Sequence, residues 1–196
     1  MVIVDVETTG TDPRVHSLLS IGAVDFETGE EFFEECQAFP GAKVEEEATA
    51  VNGVGKKEAF DTNKQTDKEL VVHFLEWLSK SGDHTIAGQN PHFDTSFIVA
   101  TAERYHLNYS IPKRVIDLHS ITWAHMIWKG GKPPIDSKRS DLNSDKIMEY
   151  VGIPAEAHPH IAIGGAKIEA EAFSRLFREK PFYAEVYASY PIPWLK

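Results

Sequence analysis

The first part of the chain has the apolar runs and turn signals that are typical of short strands. Residues 2–6 form a nearly continuous apolar run that only Asp5 interrupts, which predicts a central strand buried on both faces. Thr8-Thr9-Gly10 ends this run as a turn. Residues 18–26 and 31–39 are predicted to be two more strands, joined by the hairpin signal Glu27-Thr28-Gly29. The pattern predicts an antiparallel meander of three strands.

From residue 66 onward the apolar spacing becomes helical. Thr66 to Glu69 has the capping-box pattern, and an apolar stripe follows it: Leu70, Val71, Phe74, Leu75 and Leu78. Asn90 and Pro91 are predicted to open another helix as N-cap and first helical residue. The other expected elements are strands at 85–88 and 115–116, helices at 118–128, 142–151 and 164–177, and a loop at 129–141.

Three antiparallel strands followed by alternating helices and strands predict an α/β fold, with one mixed sheet flanked by helices. The predicted domain covers residues 1–178, and residues 179–196 are expected to be a C-terminal tail packed on it. On the last helix, an apolar stripe around Ala170 and Phe173 predicts a polar opposite face that contains Glu171, Ser174 and Arg175.

Composition narrows the classes of function. No apolar run approaches the roughly 20 residues of a membrane span, and the single cysteine, Cys36, excludes an internal disulfide. Both features favour a cytoplasmic protein without a membrane partner. The net charge of −10 argues against a protein that coats long nucleic acid, but it does not exclude an enzyme that grips a chain end.

Asp5 and Glu7 are the sharpest chemical signal. Residues two apart on a strand point to the same face, so these carboxylates would repel each other at the end of a buried strand. Mg²⁺ or Mn²⁺ bound by oxygen ligands would compensate the repulsion. The alternative is that both side chains lie at a solvent-exposed strand end.

Two further residues could join them. Asp94 falls in the first turn of a predicted helix, where the helix dipole favours a carboxylate in any case. His160, in the segment Ala157-His158-Pro159-His160, could take a proton from water near neutral pH if it lay beside a metal site. The alternative is an ordinary surface histidine.

Three segments together resemble the motifs of the DEDD superfamily of 3′-to-5′ exonucleases. Residues 4–10 resemble the first motif and residues 87–94 the second. His160 and the helix after it resemble the third motif of the histidine-bearing branch, which includes RNase T and the proofreading subunits of bacterial replicative polymerases. The resemblance covers roughly residues 1–178.

The resemblance implies an RNase H-like fold with a five-stranded mixed sheet, and hydrolysis of the terminal phosphodiester to release nucleoside 5′-monophosphates. It also implies two divalent ions, Mg²⁺ or Mn²⁺, held by Asp5, Glu7 and Asp94, with His160 rather than His158 as the general base. The implied partner is a nucleic acid 3′ end, with DNA or RNA left open and a homodimer left open. The residues expected to bind substrate are Thr8, Thr9 and Asn90.

The chain departs from the family pattern at the fourth acidic ligand. That ligand is expected five residues after the histidine, where this chain has Gly165. Glu169 lies one helical turn further on the same side and is the candidate substitute; the alternative is that it extends to solvent. The main alternative function is a weak or inactive exonuclease fold that binds nucleic acid or a protein.

A local basic stretch covers residues 129–134 and continues to Lys138 and Arg139, just after Trp123 and Trp128. Such a stretch could steer a phosphate backbone, with an aromatic ring stacked on a base. The favoured interpretation is a solvated loop next to two tryptophans of the core.

Overall fold

The computed structural model describes residues 1–195 and contains one five-stranded sheet. Its strands are β1 (Val2–Thr8), β2 (Leu18–Asp25), β3 (Glu31–Glu35), β4 (Ile86–Gly88) and β5 (Val115–Asp117), in the spatial order β3-β2-β1-β4-β5. The first three strands pair antiparallel, and β4 and β5 join as parallel strands. The predicted mixed sheet is confirmed, with β1 at its centre.

Helices cover both faces of this sheet. They are α1 (Glu46–Asn52), α2 (Lys56–Ala59), α3 (Asp67–Leu78), α4 (Pro91–Arg104), α5 (Leu118–Trp128), α6 (Ser144–Val151), α7 (Ala162–Arg178) and α8 (Ala184–Tyr187). The predicted capping box of α3 is present. The prediction missed α1 and α2, because α1 buries only Asn52 and so has no apolar stripe. The predicted loop at 129–141 contains a small hairpin, β6 (Ile135–Asp136) and β7 (Arg139–Ser140).

The alternation of side chains along β1 divides the core in two. Val2, Val4 and Val6 belong to the core that includes residues of α3 and α4, whereas Ile3 belongs to the core that includes residues of α5, α6 and α7. Because residues two apart share a face, Asp5 and Glu7 follow Ile3 onto the α7 side of the sheet. One face of β1 therefore packs in the core through its valines, whereas the other face ends in the two carboxylates of the candidate site.

Helix α7 begins directly on the sheet beside Asp5. Gly22 pairs with Asp5 across β1 and β2, and a Cβ atom added to Gly22 would overlap the backbone of Ala162 and Ile163. Only a residue without a side chain allows this close approach. The contact sets the height of the first turn of α7 above Asp5.

The predicted polar face of α7 is wrong, because Glu171, Ser174 and Arg175 are fully buried. Arg175 Nε donates to Glu171 Oε1 at 2.6 Å, and the chain after α7 covers the pair. Buried charges need partners for every polar atom, and this segment supplies them. The guanidinium donates to the carbonyl oxygens of Val151, Tyr187 and Tyr190, and Glu171 Oε2 accepts from the backbone N–H groups of Phe182 and Tyr183.

Two smaller predictions also need correction. Asn90 precedes α4 with φ of 56° and makes no capping hydrogen bond through its side chain, so it holds a left-handed backbone position that Asn tolerates. Trp128 is 77% exposed at the end of α5 and is not a core residue, whereas Trp123 packs partly buried against the core. Within residues 1–195, no helix is long and apolar enough to cross a bilayer.

Candidate active site

A cleft of about 360 Å³ opens at the carboxyl ends of β1 and β4, between α1, α7 and the loop before α7. The charged side chains that line it are acidic apart from His160, and among residues 1–195 neither Lys nor Arg contributes to the lining. The six acidic residues that line it are Asp5, Glu7, Glu45, Glu47, Glu156 and Glu169. A cleft with this lining repels anions and attracts cations.

Asp5 lies at the base of the cleft against the first turn of α7. Burial is the main cause that raises the pKa of its carboxyl group well above the usual value, and the charges of Asp94 and Glu169 raise it further. A Cβ atom added to Gly165 would overlap Asp5 Oδ2 and lie 2.8 Å from Asp5 Cγ. The glycine that replaces the expected acidic ligand therefore leaves space that the Asp5 carboxylate occupies.

Glu169 faces the cleft and not the solvent. Its side chain is 6% exposed, and Oε2 accepts a hydrogen bond from the backbone N–H of Gln89 at 3.1 Å. Burial, and next the charge of Asp94, raise the pKa of Glu169 well above its usual value. The alternative in which Glu169 extends to solvent is therefore wrong, because α7 turns this residue toward the end of β4.

Asp94 holds α4 against β1. The pairing of β1 with β4 ends at Ile3, so the N–H of Val6 is free to donate to Asp94 Oδ1 at 3.1 Å. Burial raises the pKa of Asp94 to about 8, and this hydrogen bond opposes the rise. Asp94 is 3% exposed and does not line the open cleft.

Glu7 lies nearer the solvent, beside α1. Burial raises its pKa to about 7, the charge of Glu156 adds to the rise, and the side-chain amide of Asn52 opposes it. Asn52 Nδ2 also donates to the carbonyl oxygen of Thr8 at 3.0 Å. The unpredicted helix α1 thus forms one wall of the cleft and places an amide next to a predicted metal ligand.

His160 lines the cleft, and His158 does not. The two rings stack with their centroids 4.5 Å apart, and His160 Nδ1 lies 3.6 Å from Glu156 Oε2. Burial raises the pKa of Glu156, and the nearby His160 opposes this. Sequence reasoning missed Glu156, whose only signal is a position four residues before His160 in a loop without a motif.

Of the three residues expected to bind substrate, only Thr8 reaches the cleft. Its hydroxyl donates to the carbonyl oxygen of Gly10 at 2.7 Å. Thr9 is buried, and its hydroxyl accepts from the N–H of Ser17. Asn90 is exposed outside the lining, and its N–H donates to Asp117 Oδ1. Other residues that line the cleft without having been predicted are Val51, Asn52, Gln89, Phe93 and Ser144.

The donor set suits a hard divalent cation. It consists of carboxylate oxygens, several with raised pKa values, together with Gln89 Oε1, a buried oxygen without a hydrogen-bond donor among residues 1–195. Ions such as Mg²⁺ prefer oxygen ligands, and their charge would offset the repulsion among these groups. In the part of the chain described, no three acidic or histidine side chains yet converge on one point, so an ion would have to draw them together.

Comparison with known families and proteins gives a consistent result. The exonuclease family of the RNase T type matches residues 2–173. The DNA polymerase III PolC-type proteins of Thermotoga petrophila and Thermotoga maritima are 26% identical over 184 residues, which are 89% of this chain and 12% of theirs. Ribonuclease T of Blochmanniella pennsylvanica is 30% identical over 117 residues, which are 53% of this chain and 54% of its own. The chain therefore spans only part of these relatives.

Solved structures share the fold. The nuclease domain of 3′hExo, a DEDDh family member bound to rAMP, matches with a TM-score of 0.69 and 15% identity over 92% of each chain. E. coli exonuclease I in complex with an oligonucleotide matches with a TM-score of 0.71 and 17% identity, over 91% of this chain and 40% of the other. The expected RNase H-like arrangement of the sheet and helices is confirmed.

Proposed function

Because this chain belongs to the RNase T family of exonucleases, within the DEDD superfamily, we propose that it hydrolyses nucleic acid from the 3′ end. The substrate is a single strand or a frayed end, and the products are nucleoside 5′-monophosphates. The observation that carries this proposal is the grouping of Asp5, Glu7 and Asp94 around the end of β1, where, in addition to burial, the charges of Asp94 and Glu7 raise the pKa of Asp5 and the charge of Glu7 raises the pKa of Asp94. Without a bound cation, the repulsion among these carboxylates costs free energy, and this cost favours a protein that binds a metal ion here.

Exonucleases of the DEDD superfamily generally use divalent metal ions, and here we assign their ligands to Asp5, Glu7 and Asp94. Two bound ions, Mg²⁺ or Mn²⁺, would supply positive charge that stabilises the attacking and leaving oxygens. Glu169 is proposed to replace the ligand missing at Gly165. Its burial, its orientation toward the cleft and its electrostatic coupling to Asp5 support this role.

His160 is proposed as the general base. Its ring lines the cleft, and Glu156, 3.6 Å from Nδ1, is placed to orient the ring and to stabilise it once it is protonated. The proton of the attacking water passes to the ring, the water oxygen bonds to phosphorus, and the bond from phosphorus to the 3′-oxygen breaks. The shortened strand keeps that 3′-oxygen, which takes up a proton from water to become a hydroxyl, and the released nucleotide keeps the phosphate.

Thr8 and Phe93 are proposed to contact the terminal nucleotide, because both line the cleft next to the carboxylates. Aromatic side chains stack on bases without regard to sequence, which suits an enzyme that removes any terminal residue. Thr9 and Asn90, which were expected to bind substrate as well, are proposed to act only by supporting the backbone around Thr8 and Gln89.

A second candidate is a module that binds a 3′ end without cleaving it. Gly165 favours this candidate, because the family pattern has an acidic ligand there. The two functions share the same cleft and differ only in whether Glu169 and Glu156 restore a working metal site.

The test uses oligonucleotides of DNA and RNA labelled at the 3′ or the 5′ end, incubated with Mg²⁺, Mn²⁺ or EDTA. The proposal expects immediate release of the 3′ label as a mononucleotide, a ladder that shortens from the 3′ side, and no reaction in EDTA. Asp5→Asn, which keeps the shape of the side chain, is the matched inactive control. Binding without cleavage under every condition would support the non-catalytic module, and cleavage in EDTA would exclude the metal mechanism.

A further inference from the structure

The β6–β7 hairpin has an unusual turn. Ser137 and Lys138 connect the paired residues Asp136 and Arg139, and both have positive φ, 46° and 65°. Asn and Gly are the usual residues of such a turn, because a larger side chain in the left-handed region costs about 1–2 kcal/mol. The chain therefore carries a lysine where glycine would be more stable, and this suggests that the charge itself is used.

The hairpin presents two positive charges to solvent. Lys138 and Arg139 are exposed, and neither forms an ion pair with an acidic side chain within residues 1–195. Two other cations of the same region are neutralised, since Lys129 pairs with Glu179 and Lys146 pairs with Asp141, whereas the exposed Lys132 before the hairpin forms no ion pair within residues 1–195. In a chain with a net charge of −10, two adjacent unpaired cations form a distinct local site.

Contacts place the hairpin beside the start of α5, at the same edge of the sheet as the cleft. Ser140, its last residue, contacts His119 Nε2 through its hydroxyl at 2.7 Å, and His119 lies in the first turn of α5. Asp117 caps this helix, accepts the N–H of Asn90, and contributes to the raised pKa of Glu169. Four residues after Ser140, Ser144 already lines the cleft.

The cleft needs cations nearby if it is to accept a polyanion. Its acidic residues outnumber its histidine, and no lysine or arginine within residues 1–195 lines it. Bound metal ions neutralise the phosphate that reacts, but not the phosphates of the preceding nucleotides. Those phosphates contribute to affinity when lysine or arginine neutralises them and counterions are released.

We propose that the hairpin binds the sugar-phosphate backbone of the single strand just upstream of the terminal nucleotide, with Lys138 and Arg139 in contact with phosphates. Ile135, 58% exposed on the same hairpin, offers an apolar surface to a base or sugar. This assignment rests on the proposed function, because it takes the strand to enter the cleft by its 3′ end. It is the alternative to the interpretation of residues 138 and 139 as part of a solvated loop.

The experiment compares Lys138→Ala/Arg139→Ala with the control Lys80→Ala/Lys180→Ala. The control removes the same charge from two exposed lysines near the opposite end of the sheet, where Ser81 contacts Asp25 and Arg178 contacts Phe26. Binding of a fluorescent single-stranded oligonucleotide to each protein in EDTA is followed by anisotropy at several salt concentrations. Hydrolysis with metal is measured on the same oligonucleotide and on a dinucleotide.

The hairpin variant is expected to bind the oligonucleotide about tenfold more weakly than the control. The plot of log K against log salt concentration should also be less steep by about 1.4, because each phosphate contact on a single strand contributes about 0.7 and two contacts are lost. In hydrolysis, KM for the oligonucleotide rises while kcat and the dinucleotide rate stay unchanged. Equal affinity and equal salt slope in the two variants would overturn the assignment, and so would an equal loss on the dinucleotide. If wild type hydrolyses neither substrate, the proposed exonuclease function fails, but the anisotropy measurement still tests the hairpin.

Discussion

Glu7→Gln tests whether the buried carboxylates of the cleft destabilise the metal-free fold, independently of catalysis. The substitution keeps the size of the side chain and removes one charge from a group whose folded pKa is about 7, against 4.5 for an unperturbed glutamate. This difference in pKa means that folding disfavours the ionised form of Glu7 by at most about 3 kcal/mol. Because water reaches part of the side chain and screens its charge, we halve this free energy to about 1–2 kcal/mol. Because the folded state holds the proton more tightly, Glu7 destabilises the metal-free fold increasingly as pH rises from about 4 to about 7.

The assay is thermal unfolding followed by circular dichroism in EDTA at two pH values. For a chain of this length 1 kcal/mol changes Tm by about 2–4 °C, so the variant is expected to melt about 3–6 °C above wild type at about pH 8 and within about 2 °C of it at about pH 5. Glu149→Gln, on the exposed side of α6, is the matched control and is expected to show no such dependence on pH. With Mn²⁺ or Mg²⁺ the wild type should gain more stability than the variant, because the variant lacks one of the proposed ligands of the ion.

Two results would refute the reasoning. If Glu7→Gln melts below wild type at about pH 8 in EDTA, the carboxylate is stabilised by its surroundings and not strained by them. If the difference from wild type is the same at both pH values, Glu7 does not titrate between them and its effect is one of packing. An equal stabilisation of both proteins by metal would remove Glu7 from the proposed ligands.

Three further substitutions test other parts of the structure. His160→Ala is expected to lower kcat roughly 10²-fold, whereas His158→Ala, which removes the stacked ring outside the cleft, should change it less than about threefold; equal losses in steady-state assays would contradict the assignment. Arg175→Ala leaves a buried carboxylate and several carbonyl groups unpaired and should lower the free energy of unfolding by about 3–5 kcal/mol in urea titrations, while a loss under about 1 kcal/mol would show that the pair is not needed. Gly165→Asp displaces the carboxylate of Asp5, a proposed metal ligand, and adds a charge, so it should lower both Tm in EDTA and activity with Mg²⁺; an unchanged Tm would show that the overlap with Asp5 relaxes freely.

Much of the sheet and the first part of the site could be predicted from short-range patterns. The apolar run around Asp5, the hairpin signal at residues 27–29 and the capping box at Thr66 each involve residues a few positions apart, and each appears in the structure. The alternation of side chains along β1 also places Asp5 and Glu7 on one face without any knowledge of what covers that face.

Other features depend on segments that are distant in the chain. Glu171 and Arg175 have a polar pattern but are buried, because residues 182–191 return to supply partners for both charges. Glu156 reaches the cleft because its loop lies beside Glu7. Trp128 remains 77% exposed, although its ring meets His125 and Lys129 of its own segment.

The same division applies to the chemistry. Sequence alone determined that a pair of carboxylates ends a central strand, that a histidine precedes the last helix, and that Gly165 stands where an acid was expected. The tertiary structure decided which other groups surround them, since Glu169, Asp94 and Asn52 approach β1 from three different helices. Local patterns report the backbone geometry of neighbouring residues, whereas burial and pKa depend on every charge and every apolar surface that the folded chain brings close.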